Sequence, residues 1–151
     1  MVETLNVFTY NDAKGRVVNG DEGLGLSAKL YGTANAGDFV KIKSVAGSKV
    51  LVVEVAAADT DDVIGVIPYE SAKKNAYVDG DMVTVMSDLT RIICTASAAI
   101  NMGATVMPVI TGMKIATQTT GKTAIGIALR PAAADGDLIE VLLKRALVLA
   151  T

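Results

Sequence analysis

The residues nearest to reactive chemistry are Ala116-Thr117-Gln118-Thr119-Thr120-Gly121-Lys122-Thr123, which satisfy a relaxed phosphate-loop pattern. A phosphate loop works because a buried strand runs into a helix whose free backbone N–H groups hold the phosphates. Here the next residues, Ala124-Ile125-Gly126-Ile127-Ala128-Leu129, are β-rich, carry a mid-run glycine and are closed by Pro131. No acidic motif behind an apolar strand stands out to hold magnesium. The stretch predicts a Thr-Gly-Lys hairpin turn. Asp59, Asp61 and Asp62, and the Asp-Gly-Asp runs at Asp79 and Asp135, raise calcium as a second possibility. A dedicated calcium site needs six or more oxygens, usually with a spaced bidentate carboxylate. Neither cluster has that pattern, and Asp-Gly is ordinary turn chemistry. Gly20, Gly23 and Gly25 lack the flanking strand and helix of a dinucleotide fingerprint. Paired carboxylates for glycosidic chemistry stay open in the sequence, though nothing sets two acids in an apolar pocket. No residue is nominated as catalytic, cofactor-binding or metal-ligating.

The chain has no histidine, which removes the commonest general base and zinc ligand together. Its one cysteine, Cys94, lies in the apolar run Ile92-Ile93-Cys94 and predicts a buried, inert thiol. Fourteen basic and sixteen acidic residues give a net charge of −2, with none of the basic excess that nucleic acid binding requires. No apolar run approaches the roughly 20 residues that span a bilayer as a helix. Met1 to Asn6 carry no basic or apolar leader pattern, which predicts no secretion signal. The sequence therefore predicts no nucleic acid, no membrane and no cofactor. Of its 151 residues 51% are hydrophobic but only 4% aromatic, so small and β-branched side chains must build the interior. The methionines Met82, Met86, Met102, Met107 and Met113 suit cores and protein–protein surfaces alike.

Three signals recur in one order. Ala36-Gly37-Asp38-Phe39-Val40-Lys41-Ile42 is related to Met102-Gly103-Ala104-Thr105-Val106-Met107-Pro108. Val63-Ile64-Gly65-Val66-Ile67 is echoed by Ala124 to Ala128, and Asp79 to Val85 by Asp135 to Val141. Gly37 to Gly65 is 28 positions against 23 from Gly103 to Gly126, and Gly65 to Gly80 is 15 against 10 from Gly126 to Gly136. Both intervals are five shorter in the second copy, as expected when length changes fall in loops. The pattern predicts an all-β protein, barrel-like or sandwich, built from two related β units (33–87 and 101–144) within one domain spanning 33–151. Residues 1–32 lie outside the repeat. They predict either an extended N-terminal arm reaching another surface, or a first strand and loop of the same barrel. Within the arm, Val7, Phe8, Tyr10, Arg16 and Val17 are the candidates for contact with a partner.

Between these marks, Lys49 to Val55 predicts a central strand, and Glu70 to Asn75 one helical turn. Thr90 to Thr95 predicts a strand between the copies, and Gly112 the turn of a hairpin. The last strand is expected to run through Leu143, with a helical tail from Lys144 as the competing possibility.

The ordered set Gly37-Asp38-Phe39-Val40, Ile64-Gly65-Val66, Gly80 to Val85, Gly103 to Val106, Ile125-Gly126-Ile127 and Asp137 to Leu143 resembles the small capsid decoration, or cement, proteins of tailed bacteriophages. The resemblance covers about Thr33 to Lys144. It implies a non-enzymatic homotrimer on the outer surface of the virion, seated at local three-fold positions and stapling the major capsid protein lattice. It also implies a terminal segment laid against a capsid strand, for which Met1 to Asp21 is the candidate by position. A small-ligand or carbohydrate-binding β-barrel module is the alternative.

Overall fold

Short runs rich in β-branched residues, several of them bounded by glycine turns, form twelve strands among the described residues. The structure is a computed structural model that describes residues 14–18, 25–69 and 76–144. The first seven strands are β1 (Gly25–Leu30), β2 (Ala34–Asn35), β3 (Phe39–Ile42), β4 (Val52–Val55), β5 (Val63–Val66), β6 (Ala76–Tyr77) and β7 (Met82–Met86). Five of them close a barrel in the order β1-β4-β3-β5-β7, while β2 and β6 pair beside it. The remaining strands are β8 (Arg91–Thr95), β9 (Thr105–Val109), β10 (Lys114–Thr117), β11 (Gly126–Ala128) and β12 (Leu138–Leu143). They form a five-stranded sheet in the order β10-β9-β11-β12-β8, and a parallel bridge from Ala96 to Ile115 joins its two edges. The protein is all-β.

The two sheets share one set of registers. Val40 stands opposite Gly65 in the first and Val106 opposite Gly126 in the second. Lys29 opposes Met82 as Thr95 opposes Leu138. Gly37 donates its N–H to Ile67 O, and Gly103 donates to Ala128 O. These equivalences start each unit one strand earlier than the sequence predicts. Gly25–Leu30, expected within the arm segment, is a barrel strand matching β8. Its alternation explains why, since Ala28 and Leu30 point into the core while Ser27 and Lys29 do not.

The five-residue difference between the copies falls in loops. The β3–β4 connection runs over 43–51, whereas the β9–β10 connection is 110–113. Lys49 to Leu51, expected as strand, belong to that longer connection, and Val50 is exposed. The helical turn expected at Glu70 to Asn75 and the tail beyond Lys144 lie outside the described residues.

β5 is buried along its whole length because it serves two cores. Ile64 packs with Val40, Val53, Val83 and Val85 inside the first barrel. Val63 and Val66 join Phe39 and Ala56 in the second unit's cluster, with Ile92, Cys94, Ile125 and Val141. Each such side chain contributes about 1.5–3 kcal/mol on burial, so this shared cluster fastens the units together.

Gly65 and Gly126 occupy the same place in the two units. A Cβ on Gly65 would stand 2.3 Å from Met86 O and 2.6 Å from Val85 Cγ1. On Gly126 it would stand 2.4 Å from Leu142 O and 2.9 Å from Val141 Cγ1. Backbone cannot yield as a flexible side chain tip does, so even a methyl group is excluded. Gly65→Ala and Gly126→Ala should each cost about 1–3 kcal/mol or more, the range for overpacking. Urea titrations should show two similar losses, and a neutral outcome at either site would contradict the shared close approach.

Candidate interaction surface

The side chains that suggested chemistry are occupied with holding the fold. Asp61 Oδ2 accepts hydrogen bonds from the N–H groups of Ala57 (2.7 Å) and Ala58 (3.0 Å) and pairs with Lys41 Nζ at 3.0 Å. Asp59 Oδ1 accepts from Ile110 N at 2.8 Å and so ties the first unit to the second. In the Asp-Gly-Asp turns, Asp81 accepts from Val78 N and Asp137 from Ala133 and Ala134 N. Among the described residues no cluster of three acids or cysteines is arranged to hold a metal. Lys122 donates its N–H to Thr119 O and accepts from Gln118 Nε2, in a connection between β10 and β11 that leads into strand, not helix.

Cys94 is buried against the second core, and desolvation pushes its thiol up to about 12. Glu140 is also buried, held by Arg91 and, at 3.9 Å, by Arg130 Nε. Its register counterpart in the first unit is Thr84, so this charge cluster belongs to one unit alone. Sequence reasoning missed it because Arg91 on β8, Glu140 on β12 and Arg130 after β11 stand apart in the chain.

Of the five candidate contact residues, Val7, Phe8 and Tyr10 lie outside the described residues. Arg16 and Val17 do not project freely: residues 14–18 run along β8 through one isolated bridge and three backbone hydrogen bonds. Gly15 N bonds Ile93 O (2.7 Å), Ile93 N bonds Arg16 O (2.9 Å), and Val18 N bonds Arg91 O (2.7 Å). Val17 pairs antiparallel with Ile92 and packs on the core. Tyr69 N donates to Gly15 O at 2.8 Å, and Lys14 Nζ donates to Gly112 O at 3.2 Å. The segment therefore clamps both units. Gly15 is required there, because a Cβ would lie 2.6 Å from Gly37 N. Burial lowers the Lys14 pKa against the opposing pull of Asp38, and burial raises that of Asp38.

Among the described residues most exposed large apolar side chains lie on the first unit, while Leu89, Met102 and Leu138 are exposed outside it. Tyr31, Ile42, Val45 and Val50 are exposed at the end of the barrel that carries the long 43–51 connection, with Val78 nearby. Tyr31 N bonds Val53 O and Lys43 N bonds Val52 O, which brings these residues to one end. Lys43 Nζ lies 4.7 Å from the centroid of the Tyr31 ring and 3.4 Å from Glu54. These half-buried surface pairs shape the surface more than they stabilise it. Apolar side chains grouped this way, rimmed by lysines, are the chemistry of a protein-binding face.

No family model matches the chain, and no curated protein matches it in sequence. Its fold is similar to that of a solved structure, the N base of head fiber gp8.5 in bacteriophage phi29. The TM-score is 0.54 at 17% identity, over 82% of this chain and 95% of that one. At that identity the likeness is one of fold.

Two measurements check these assignments. In the folded protein Cys94 should react with a disulfide reagent at pH 8 about a hundredfold or more slowly than in urea, since only the thiolate attacks. Asp61 is the pH-sensitive pin: backbone N–H donors first, then Lys41, hold its carboxyl below the usual carboxylate range. A depressed acid stabilises the fold above its unfolded pKa and loses that contribution as pH falls through the folded value. Asp61→Asn should therefore lower the melting temperature at pH 7, with the gap to wild type closing as the medium becomes more acidic than the ordinary aspartate range.

Proposed function

We propose that this chain is a capsid decoration protein. In this reading it binds the outer surface of a phage head at local three-fold positions as a homotrimer and stabilises the lattice of the major capsid protein. It does so without catalysis, cofactor, nucleic acid or membrane. The observation that carries the reading is the fold likeness to a phage head fiber base, which spans nearly the whole of that domain. The ordered motifs that resemble cement proteins point the same way.

The physics suits a staple. The potential ligands and nucleophiles are spent on turns and cores, while the surface offers an apolar end on the first unit. A trimer presents three such ends, and simultaneous engagement raises effective concentration, so each contact can be weak. Arg16 and Val17, committed to the chain's own sheet, are replaced in this role by Tyr31, Ile42, Val45 and Val50.

Heads of the parent phage stripped of surface proteins provide the test. The protein should co-sediment with expanded heads, saturate at a fixed number per capsomer and raise the temperature at which heads release DNA. Val45→Lys combined with Val50→Lys should weaken binding about tenfold or more while leaving the fold intact, as loss of central apolar contacts costs more than 1 kcal/mol. Failure to bind heads, or saturable binding of a small sugar instead, would overturn the reading.

A further inference from the structure

The clamp formed by residues 14–18 occupies one half of a duplicated structure, and no described residue fills the matching place on the other half. By register, Ser27 is the counterpart of Ile93, the residue that exchanges hydrogen bonds with Gly15 and Arg16. Leu30 N bonds Asp81 O on the β7 side, and Lys29 N bonds Leu51 O on the β4 side. Backbone groups alternate along a strand, so Gly25 and Ser27 turn their N–H and C=O away from β7. β4 meets β1 only at Lys29 and Leu30. Beyond that point the Gly25–Ser27 edge has no strand beside it among the described residues.

Two further observations agree. Ile92, paired with Val17, is 0% exposed, whereas its counterpart Leu26 is 40% exposed. Gly37 is covered by Lys14 and Gly15, whereas nothing stands within 4 Å of a Cβ on its counterpart Gly103. Both surfaces that the clamp covers are thus open in their duplicates.

We propose that the Gly25–Ser27 edge accepts a strand donated by a second copy of this chain, residues 4–10. An open edge is completed most simply by main-chain addition, which asks little of side chains. This sequence already lays its own residues 14–18 along the equivalent edge of β8 through backbone hydrogen bonds. Thr4-Leu5-Asn6-Val7-Phe8-Thr9-Tyr10 has the β-branched and aromatic content of a strand and stands just ahead of the clamp. Lys14 is fixed, and the few residues between it and Tyr10 give about 13 Å of extended span. Donation from one copy to the next is head-to-tail, the arrangement that closes rings. Val7, Phe8 and Tyr10 then meet a neighbouring copy and not the capsid.

Contacts between copies are tested apart from head binding, by size-exclusion chromatography with light scattering. The full chain should run as a closed oligomer of 15.6 kDa protomers, and a chain lacking residues 1–10 as a monomer of slightly lower mass. Ser27→Pro, which deletes the outward N–H, should also give monomers; Leu26→Lys on the same edge serves if the proline variant does not fold. Leu5→Cys and Leu26→Cys placed in separate chains should cross-link on oxidation. A monomeric full chain, an oligomer unchanged by the deletion, or no cross-link between the two singly substituted chains would each overturn the inference. A monomer that still co-sediments with heads would remove this inference and leave decoration standing; an oligomer indifferent to heads would do the reverse.

Discussion

Everything in this fold depends on two strands passing closer than side chains allow. At Gly65 the backbone of β5 lies against Met86 O, and at Gly126 that of β11 lies against Leu142 O. Each approach draws its sheet tight enough for small aliphatic side chains to fill the interior. The described core is built mainly of Val, Ile and Ala around Phe39, packed at the density usual for protein interiors. The aromatic-poor composition and the mid-strand glycines are therefore one solution, stated once in composition and once in position.

That solution was partly legible in the sequence. The Ile-Gly signal, the Asp-Gly-Asp turns and the five-residue loop difference all mark real elements, because turn chemistry and strand alternation are local properties. β3, β7 and the end of β12 follow from alternation alone. β1 was obscured by the glycine run before it, although Leu26 to Leu30 alternates and lines up with Ile92 to Ala96. Lys49 to Leu51 read as strand because their residue types favour it, yet the longer connection carries them across the barrel end. Propensity there yields to position.

The interaction surface was less legible, because it is a property of assembly. Nothing local in Arg16 and Val17 reveals that β8 has a free edge for them to fill. The Arg91–Glu140–Arg130 group is likewise spread over three segments and appears only once the sheet is formed. Asp59, by contrast, was noticed for the wrong reason. Its carboxylate is a strut between units, reaching the N–H of Ile110. Duplication followed by such one-sided additions explains how two like halves came to differ: one kept an apolar end, the other gained a buried charge pair and the clamp.

The sealed thiol has a practical corollary. A protein whose native sulfur cannot be reached tolerates a cysteine introduced anywhere on its exterior as a unique point of attachment. Val45 or Val50, at the tip of a loop that the second half does without, would carry a dye, a peptide or a gold cluster with no competing label inside.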